Sequence, residues 1–295
     1  MSARLIFISR HDWMQDDGVS FDPAVGFWRP ENPLTNLLDG RPQLAAEAVD
    51  NRDIASTRFS VDLGHQRRVG MIAFVALRAC GLSFMQIQAG LDPTFVGNAY
   101  DTGMLPTWPI DSVPGELDAW NRWTLNGKYQ QDEYFALGMP RVLIPSVLIN
   151  IRYIRVIIRN QLARDKPLTI GCFGVYDVWE PTINFKYGWE LTPLDESDVV
   201  RIPRGSTYVD GRGIRRRLNL GLDQVSEEDT WARGFGTTLV RGKSDPFWVV
   251  PFTDTSQITR FEKAAVYGLV SQDSVLSNPL IEGRYAQLVQ IDQLY

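Results

Sequence analysis

Apolar and polar residues alternate with a period of two along much of this chain, the pattern of half-buried β-strands. In Thr57–Leu63, Phe59, Val61 and Leu63 share one face while Arg58, Ser60 and Asp62 share the other. Phe84–Ala89 alternates in the same way, as does Tyr153–Arg159 within the Ile- and Val-rich stretch 147–159. Arg68–Leu77 is a nearly continuous apolar run, which predicts a strand covered on both faces. Arg4–Ser9 and Leu168–Val178 complete the strands predicted for this part of the chain. Helical periodicity is scarce. Leu44–Val49, shortly after Pro42, predicts a turn or a single helical coil.

Asp92–Pro140 breaks the rhythm and predicts a long insertion at about 92–140, either an elaborated hairpin or a segment packed on a neighbour. The texture changes again near Trp179-Glu180-Pro181. Beyond it, Thr207–Asp210, Arg215–Leu222, Phe247–Phe252, Ala264–Val270 and Tyr285–Ile291 read as strands, with turn chemistry at Gly211-Arg212-Gly213. Ser226–Arg233 predicts one short helix, capped by Ser226, with Glu227, Glu228 and Asp229 complementing its dipole. The expected boundary lies near residue 185, giving domains 1–184 and 185–295. Short strands separated by Gly, Pro and Asp predict an all-β chain of sandwich or jelly-roll type.

Composition sharpens this picture. The 295 residues are 44% hydrophobic, enough to bury a core, and the 24 Gly and 17 Pro favour turns over long helices. A net charge of −5 argues against nucleic acid as the partner. No membrane-length apolar stretch and no leader pattern stands out, so the chain is expected to be made in a cytoplasm. Cys80 and Cys172 sit in apolar settings and read as buried thiols.

Catalytic constellations are not legible. His11 and His65 are the two histidines, and His65 falls in what reads as a strand-end turn. There is no nucleophile elbow, phosphate loop or zinc spacing, so neither enzyme activity, metal nor cofactor is expected. A pair of acids arranged for glycoside hydrolysis cannot be read from spacing alone. Aromatic residues make up 11% of the chain and include nine Trp. Trp108, Trp120 and Trp123, in the insertion, are the candidates for stacking on sugar rings; the competing account places such residues in the core or in subunit contacts. Arg201, Arg204, Arg215, Arg216 and Arg217, with Arg212, form a basic cluster. We expect them to pair with acids such as Glu227 and Glu228 at a subunit interface, with nucleic-acid contact as the alternative.

Two blocks carry resemblances. Asn32–Asp39, Phe59-Ser-Val-Asp-Leu-Gly64 and Arg152-Tyr-Ile-Arg-Val-Ile157 resemble the galactose-binding-like (discoidin-type) jelly roll, across about residues 1–180. Ile170–Pro181, Tyr187-Gly188, Asp245–Pro251 and Ala265–Leu269 resemble tail-tip proteins of long-tailed phages. Together these imply an N-terminal galactose-binding-like jelly roll and a C-terminal β-barrel-like (split-barrel) domain. They also imply a distal or minor tail protein in the virion tail, forming a ring of its own copies and meeting tail-tube, hub or fibre proteins. A carbohydrate- or receptor-binding module of the tail, meeting a host surface glycan, is the alternative implied.

Overall fold

A computed structural model describes residues 7–50, 53–79, 83–107, 140–160, 167–181, 188–201, 207–210, 214–231, 244–253, 264–271, 276–277 and 284–294. The chain divides into two compact units. One holds Ser9–Val178 with Thr253–Lys263, and the other holds Met1–Ile8, Trp179–Phe252 and Ala264–Tyr295.

The first unit is an all-β sandwich of two antiparallel layers. Its strands are β1 (Phe7–Asp12), β2 (Ser20–Phe21), β3 (Ala46–Glu47), β4 (Arg58–Val69), β5 (Met71–Arg78), β6 (Phe84–Gly90), β7 (Tyr100–Asp101), β8 (Leu105–Pro106), β9 (Arg141–Leu143), β10 (Ile149–Arg159) and β11 (Thr169–Trp179). One antiparallel sheet runs β2-β4-β10-β6-β7, with β8 also on β6. Facing it are β11, β5 and β9, with β3 also on β11. Alternation on each strand sends its apolar side chains between the sheets. Phe59, Val61 and Leu63 of β4 and Ile154, Val156 and Ile158 of β10 meet Phe74 of β5 and Ile170, Phe173 and Val175 of β11 in one core. Phe59 and Phe173 join the layers edge to face, with centroids 5.3 Å apart and planes at 83°. Phe21, Trp28 and Phe74 extend this into a ring cluster, the geometry that aromatic quadrupoles favour.

Three expectations are corrected here. Leu44–Val49 is no helical coil: Ala46 and Glu47 form β3, because β11 offers Ile170 and Thr169 as ladder partners. The strand of Thr57–Leu63 does not end at Gly64 but runs on to Val69, and the break before the apolar run falls at Gly70. Gly64, at φ +75°, takes a left-handed conformation suited to glycine, and its N–H donates to Asp62 Oδ1 at 2.8 Å. Asp62 faces Tyr153 and Arg67 faces Ile151, so residues 63–66 bulge against Arg152 alone. His65 therefore sits exposed on a bulge inside β4 rather than in a turn at its end. Asn32–Asp39 is a 3₁₀ segment, Leu34–Leu38, that plugs the core with Leu34 and Leu37. Cys172 is buried in β11, while Cys80 lies outside the described residues.

The second unit is β-barrel-like. Its strands are β12 (Glu190–Asp195), β13 (Asp198–Arg201), β14 (Thr207–Asp210), β15 (Ile214–Ser226), β16 (Phe247–Val250), β17 (Val266–Val270), β18 (Leu276–Ser277) and β19 (Arg284–Gln293). An antiparallel sheet runs β12-β15-β19-β17-β16, with Phe7 and Ile8 beside Val250 and Val249. Leu218, Leu220 and Leu222 from one end of that order share a core with Phe247 and Val249 from the other, which requires the sheet to curl. β13 and β14 form a separate ribbon. Helix Glu227–Asp229 is capped as expected, Ser226 Oγ accepting from Asp229 N–H at 3.2 Å. No helix among the described residues is long and apolar enough to cross a membrane.

Phe59 is fully buried between the sheets, so Phe59→Ala should cost about 3–5 kcal/mol of stability. The urea midpoint measures it, and a loss below about 1 kcal/mol would show that the layers do not share this core.

Candidate functional site

β10 builds the site by alternation. With Ile154, Val156 and Ile158 turned into the core, Tyr153, Arg155, Ile157 and Arg159 take the opposite face. Register brings matching side chains from both neighbours. Arg155 faces Ser60 and Gln88, Ile157 faces Arg58 and Gln86, and Arg159 faces Phe84. The outer face of this sheet thus carries arginines, amides and a hydroxyl in adjacent rows, with directly opposed Cβ atoms about 5 Å apart.

At the β6 edge the polar groups are interlocked. Asp101 of β7 accepts from the Gln86 amide at 2.9 Å, the Gln88 amide at 3.1 Å and the Gly103 N–H at 2.8 Å. Burial alone would raise the Asp101 pKa, but hydrogen bonds from Gln86, Gln88, Gly103 and Asn98 outweigh it and hold the group ionised. A fixed carboxylate flanked by two oriented amides is a ready-made set of planar donors and acceptors.

The loop from β6 to β7 caps the same face. Asp92 Oδ1 accepts from Thr94 N–H at 2.7 Å and from its hydroxyl at 2.8 Å, and this turn places Phe95 at φ +61°. A non-glycine residue in the left-handed region costs about 1–2 kcal/mol. The conformation brings the Phe95 ring under the Arg155 guanidinium, 4.2 Å from carbon to centroid. Burial pushes the Arg155 pKa down, Arg58 adds to that, and Asp22 opposes it. Next along the sheet, the Arg152 fork grips Asp62 at 2.8 and 2.9 Å.

A second polar cluster lies at the start of the unit. His11 Nε2 and Asp16 Oδ1 are 2.6 Å apart, and Arg67 reaches Asp16 Oδ2 at 2.5 Å. Arg67 also lies over the Trp13 ring at 4.7 Å. That ring is packed on the core on its remaining side, and its N–H donates to the Arg68 carbonyl at 2.9 Å, so this cluster seals the sandwich. Among the described residues no three His, Cys, Asp or Glu converge as metal ligands.

Trp108, Trp120 and Trp123 lie outside the described residues, as does Arg204. Arg201 is on β13, opposite Thr207. The other expected interface arginines find partners within their own unit. Arg217 forms a forked pair with Asp292 at 2.6 and 2.7 Å, Arg215 pairs with Glu196, and Arg216 donates to Gln293 at 2.8 Å. Glu227 and Glu228 occupy the first turn of the short helix. Sequence reasoning missed Arg155 and the Gln86–Asp101–Gln88 lock. Alternation placed both glutamines on one face, but Asp101 comes from a segment with no period to reveal its register.

No protein-family model matches this chain, and no curated protein matches it. Among solved structures it is similar to the family 32 carbohydrate-binding module of Clostridium perfringens NanJ in complex with galactose. The identity is 12% and the TM-score 0.36, over 58% of this chain and 99% of that one. It is also similar to module CBM32-1 of a family 31 glycoside hydrolase from the same organism, 10% identical with TM-score 0.35, over 55% and 95%. A third is the lectin domain of lectinolysin complexed with Lewis B antigen, 12% identical with TM-score 0.34, over 56% and 96%.

The Asp62–Arg152 pair makes stability acid-sensitive. The hydrogen bond from Arg152 holds the Asp62 pKa below its ordinary 3.8, so folding gains from ionised Asp62 above that value and loses the gain as pH falls through the folded pKa. Urea midpoints measured from about pH 5 down to about pH 2 should fall more steeply for the native chain than for Asp62→Asn. Parallel curves would show that the pair contributes nothing.

Proposed function

We propose that this chain is a glycan-binding protein that holds a sugar on the outer face of the β4–β10–β6 sheet without breaking a bond. The observation that carries this reading is the Gln86–Asp101–Gln88 lock. Solvated sheet faces have no need of interlocked side chains, and side chain–side chain bonds are the minority class in proteins. Here two amides and a carboxylate are held at an exposed edge in fixed orientation, ready to meet neighbouring hydroxyls of a sugar ring. Ordering them in advance lowers the entropy that binding would otherwise cost. Thr107, hydrogen-bonded to Ser83 beside β6, is followed in the sequence by Trp108, one of the three candidates for stacking on sugar rings.

A second reading sets the protein in a phage tail tip, as a ring-forming subunit that meets tail-tube, hub or fibre proteins. Beyond the sequence resemblance, it is supported by apolar side chains exposed on the second unit: Tyr208 on β14, Ile214 on β15 and Leu288 on β19. Leu288 lies opposite Gly221, which offers no side chain to cover it. Exposed apolar groups on regular strands suit subunit contacts. The two readings are compatible, a tail component being a natural place for a glycan receptor module.

Asp101→Ala and Gln88→Ala should each weaken glycan binding about tenfold or more while leaving the thermal midpoint within a few degrees. An array of neutral and charged glycans, followed by titration calorimetry on the best ligand, provides the measurement. An array with no binder would dismiss the glycan reading. The tail reading predicts closed rings in electron micrographs of the purified protein, with Leu288→Asp shifting it towards monomer. A native protein that stays monomeric at all concentrations would count against it.

A further inference from the structure

Three arginines on this same outer face stand apart from the ion pairs of the unit. Arg10 and Arg68 share Asp177, Arg29 meets Glu47, Arg41 meets Asp39, Arg67 meets Asp16 and Arg152 meets Asp62. Arg58, Arg155 and Arg159 have no ion pair and no side-chain hydrogen bond among the described residues. Strand register makes them neighbours. Arg155, Ile157 and Arg159 are successive outward residues of β10, and Arg58 lies across from Ile157, diagonal to both arginines. Diagonal Cβ atoms are about 7–8 Å apart, within reach of three long side chains converging on one group. Asp22 is the acid that acts on Arg155, and Arg58 works against it.

Arg155 is also fixed. Its guanidinium rests on Phe95, whose backbone is held in a strained conformation to put the ring there. Beside it, the Ser60 hydroxyl is buried and makes no hydrogen bond, a second unsatisfied donor at the same point of the face. Asp22 offsets only part of the repulsion in this row of like charges, and an oxyanion is the ligand chemistry that relieves the rest, because guanidinium forks match its oxygens two at a time. Gln88 faces Arg155 directly across the ladder, so the cationic row and the Gln86–Asp101–Gln88 lock form one continuous surface.

We infer that Arg58, Arg155 and Arg159 form a subsite for an oxyanion substituent, sulfate or carboxylate, carried by the bound glycan. This rests on the glycan reading above and narrows it to acidic saccharides. Nucleic acid is the weaker fit, because the chain is net acidic.

The test titrates the full chain with a heparin oligosaccharide, its chemically desulfated form, polygalacturonate fragments and a single-stranded DNA oligomer of matched charge. The sulfated or uronate ligand should bind about tenfold or more tighter than the desulfated one, and the advantage should shrink as salt is added. Arg155→Gln should abolish the advantage. Because Arg155 also packs on Phe95, Arg58→Gln and Arg159→Gln, at exposed positions, are the independent variants, each reducing the advantage severalfold. Equal binding of charged and uncharged glycans would overturn the subsite and leave the glycan reading standing. DNA binding as tight as the sulfated ligand would overturn it in favour of a general polyanion surface. Failure of every saccharide would remove both.

Discussion

The period-two alternation of β10 is the constraint from which the first unit follows. Ile154, Val156 and Ile158 must enter the core, and that obliges Arg155, Ile157 and Arg159 to leave it. A slip of one residue would bury two arginines with no acid to meet them and expose three aliphatic chains. The partners on either side, Phe59 and Val61 on β4 and Met85 and Ile87 on β6, impose the same choice. The core and the charged outer face are therefore one decision, taken once by the hydrophobic effect and written onto both sides of the sheet. What stands beside Arg155 is a by-product of how its neighbours are buried.

Charge is used differently at each place it occurs. Within the second unit, Arg215, Arg216 and Arg217 are absorbed by Glu196, Gln293 and Asp292, a strand-to-strand stitching whose exposed pairs add little stability each. At the start of the first unit, Asp177 receives two arginines and Asp12 both caps the turn after β1 and accepts the Val175 N–H. These acids settle local geometry. On the outer sheet face Asp62 holds Arg152 and Asp101 is engaged by amides, while Arg58, Arg155 and Arg159 have no ion pair among the described residues.

Much of the fold was legible because strands write themselves with a short period. All but Thr57 of Thr57–Leu63 falls within β4, and Phe84–Ala89 and Tyr153–Arg159 fall within β6 and β10, with the faces assigned as alternation requires. The helix cap at Ser226 was equally plain, since the chemistry is local. What escaped depended on contacts distant in sequence. Ala46–Glu47 is a strand only because β11 accepts it, and Leu44–Val49 has no pattern of its own to say so. The break at Gly70 was hidden by apolar residues on both sides. At the site, Gln86 and Gln88 were placed on one face, but nothing nearby announced that Asp101 would lie beside them or that Phe95 would sit under Arg155. The arginine cluster 215–217 drew attention by density, yet isolated arginines on alternating strands are the ones left unpaired.

The swelling at Gly64 has an evolutionary consequence. Residues 63–66 stand against Arg152 alone, with normal ladder pairing resumed at Arg67 opposite Ile151. Length is absorbed there without passing on, since the two halves of β4 keep step with β10 independently. Leu63 anchors one shoulder in the core and Val69 the far end, while His65 and Gln66 face water. Insertions or deletions between Gly64 and Arg67 would thus be invisible to both the core and the arginine row. In a lineage under pressure to vary its surface, this is where a new finger could grow from an otherwise rigid wall.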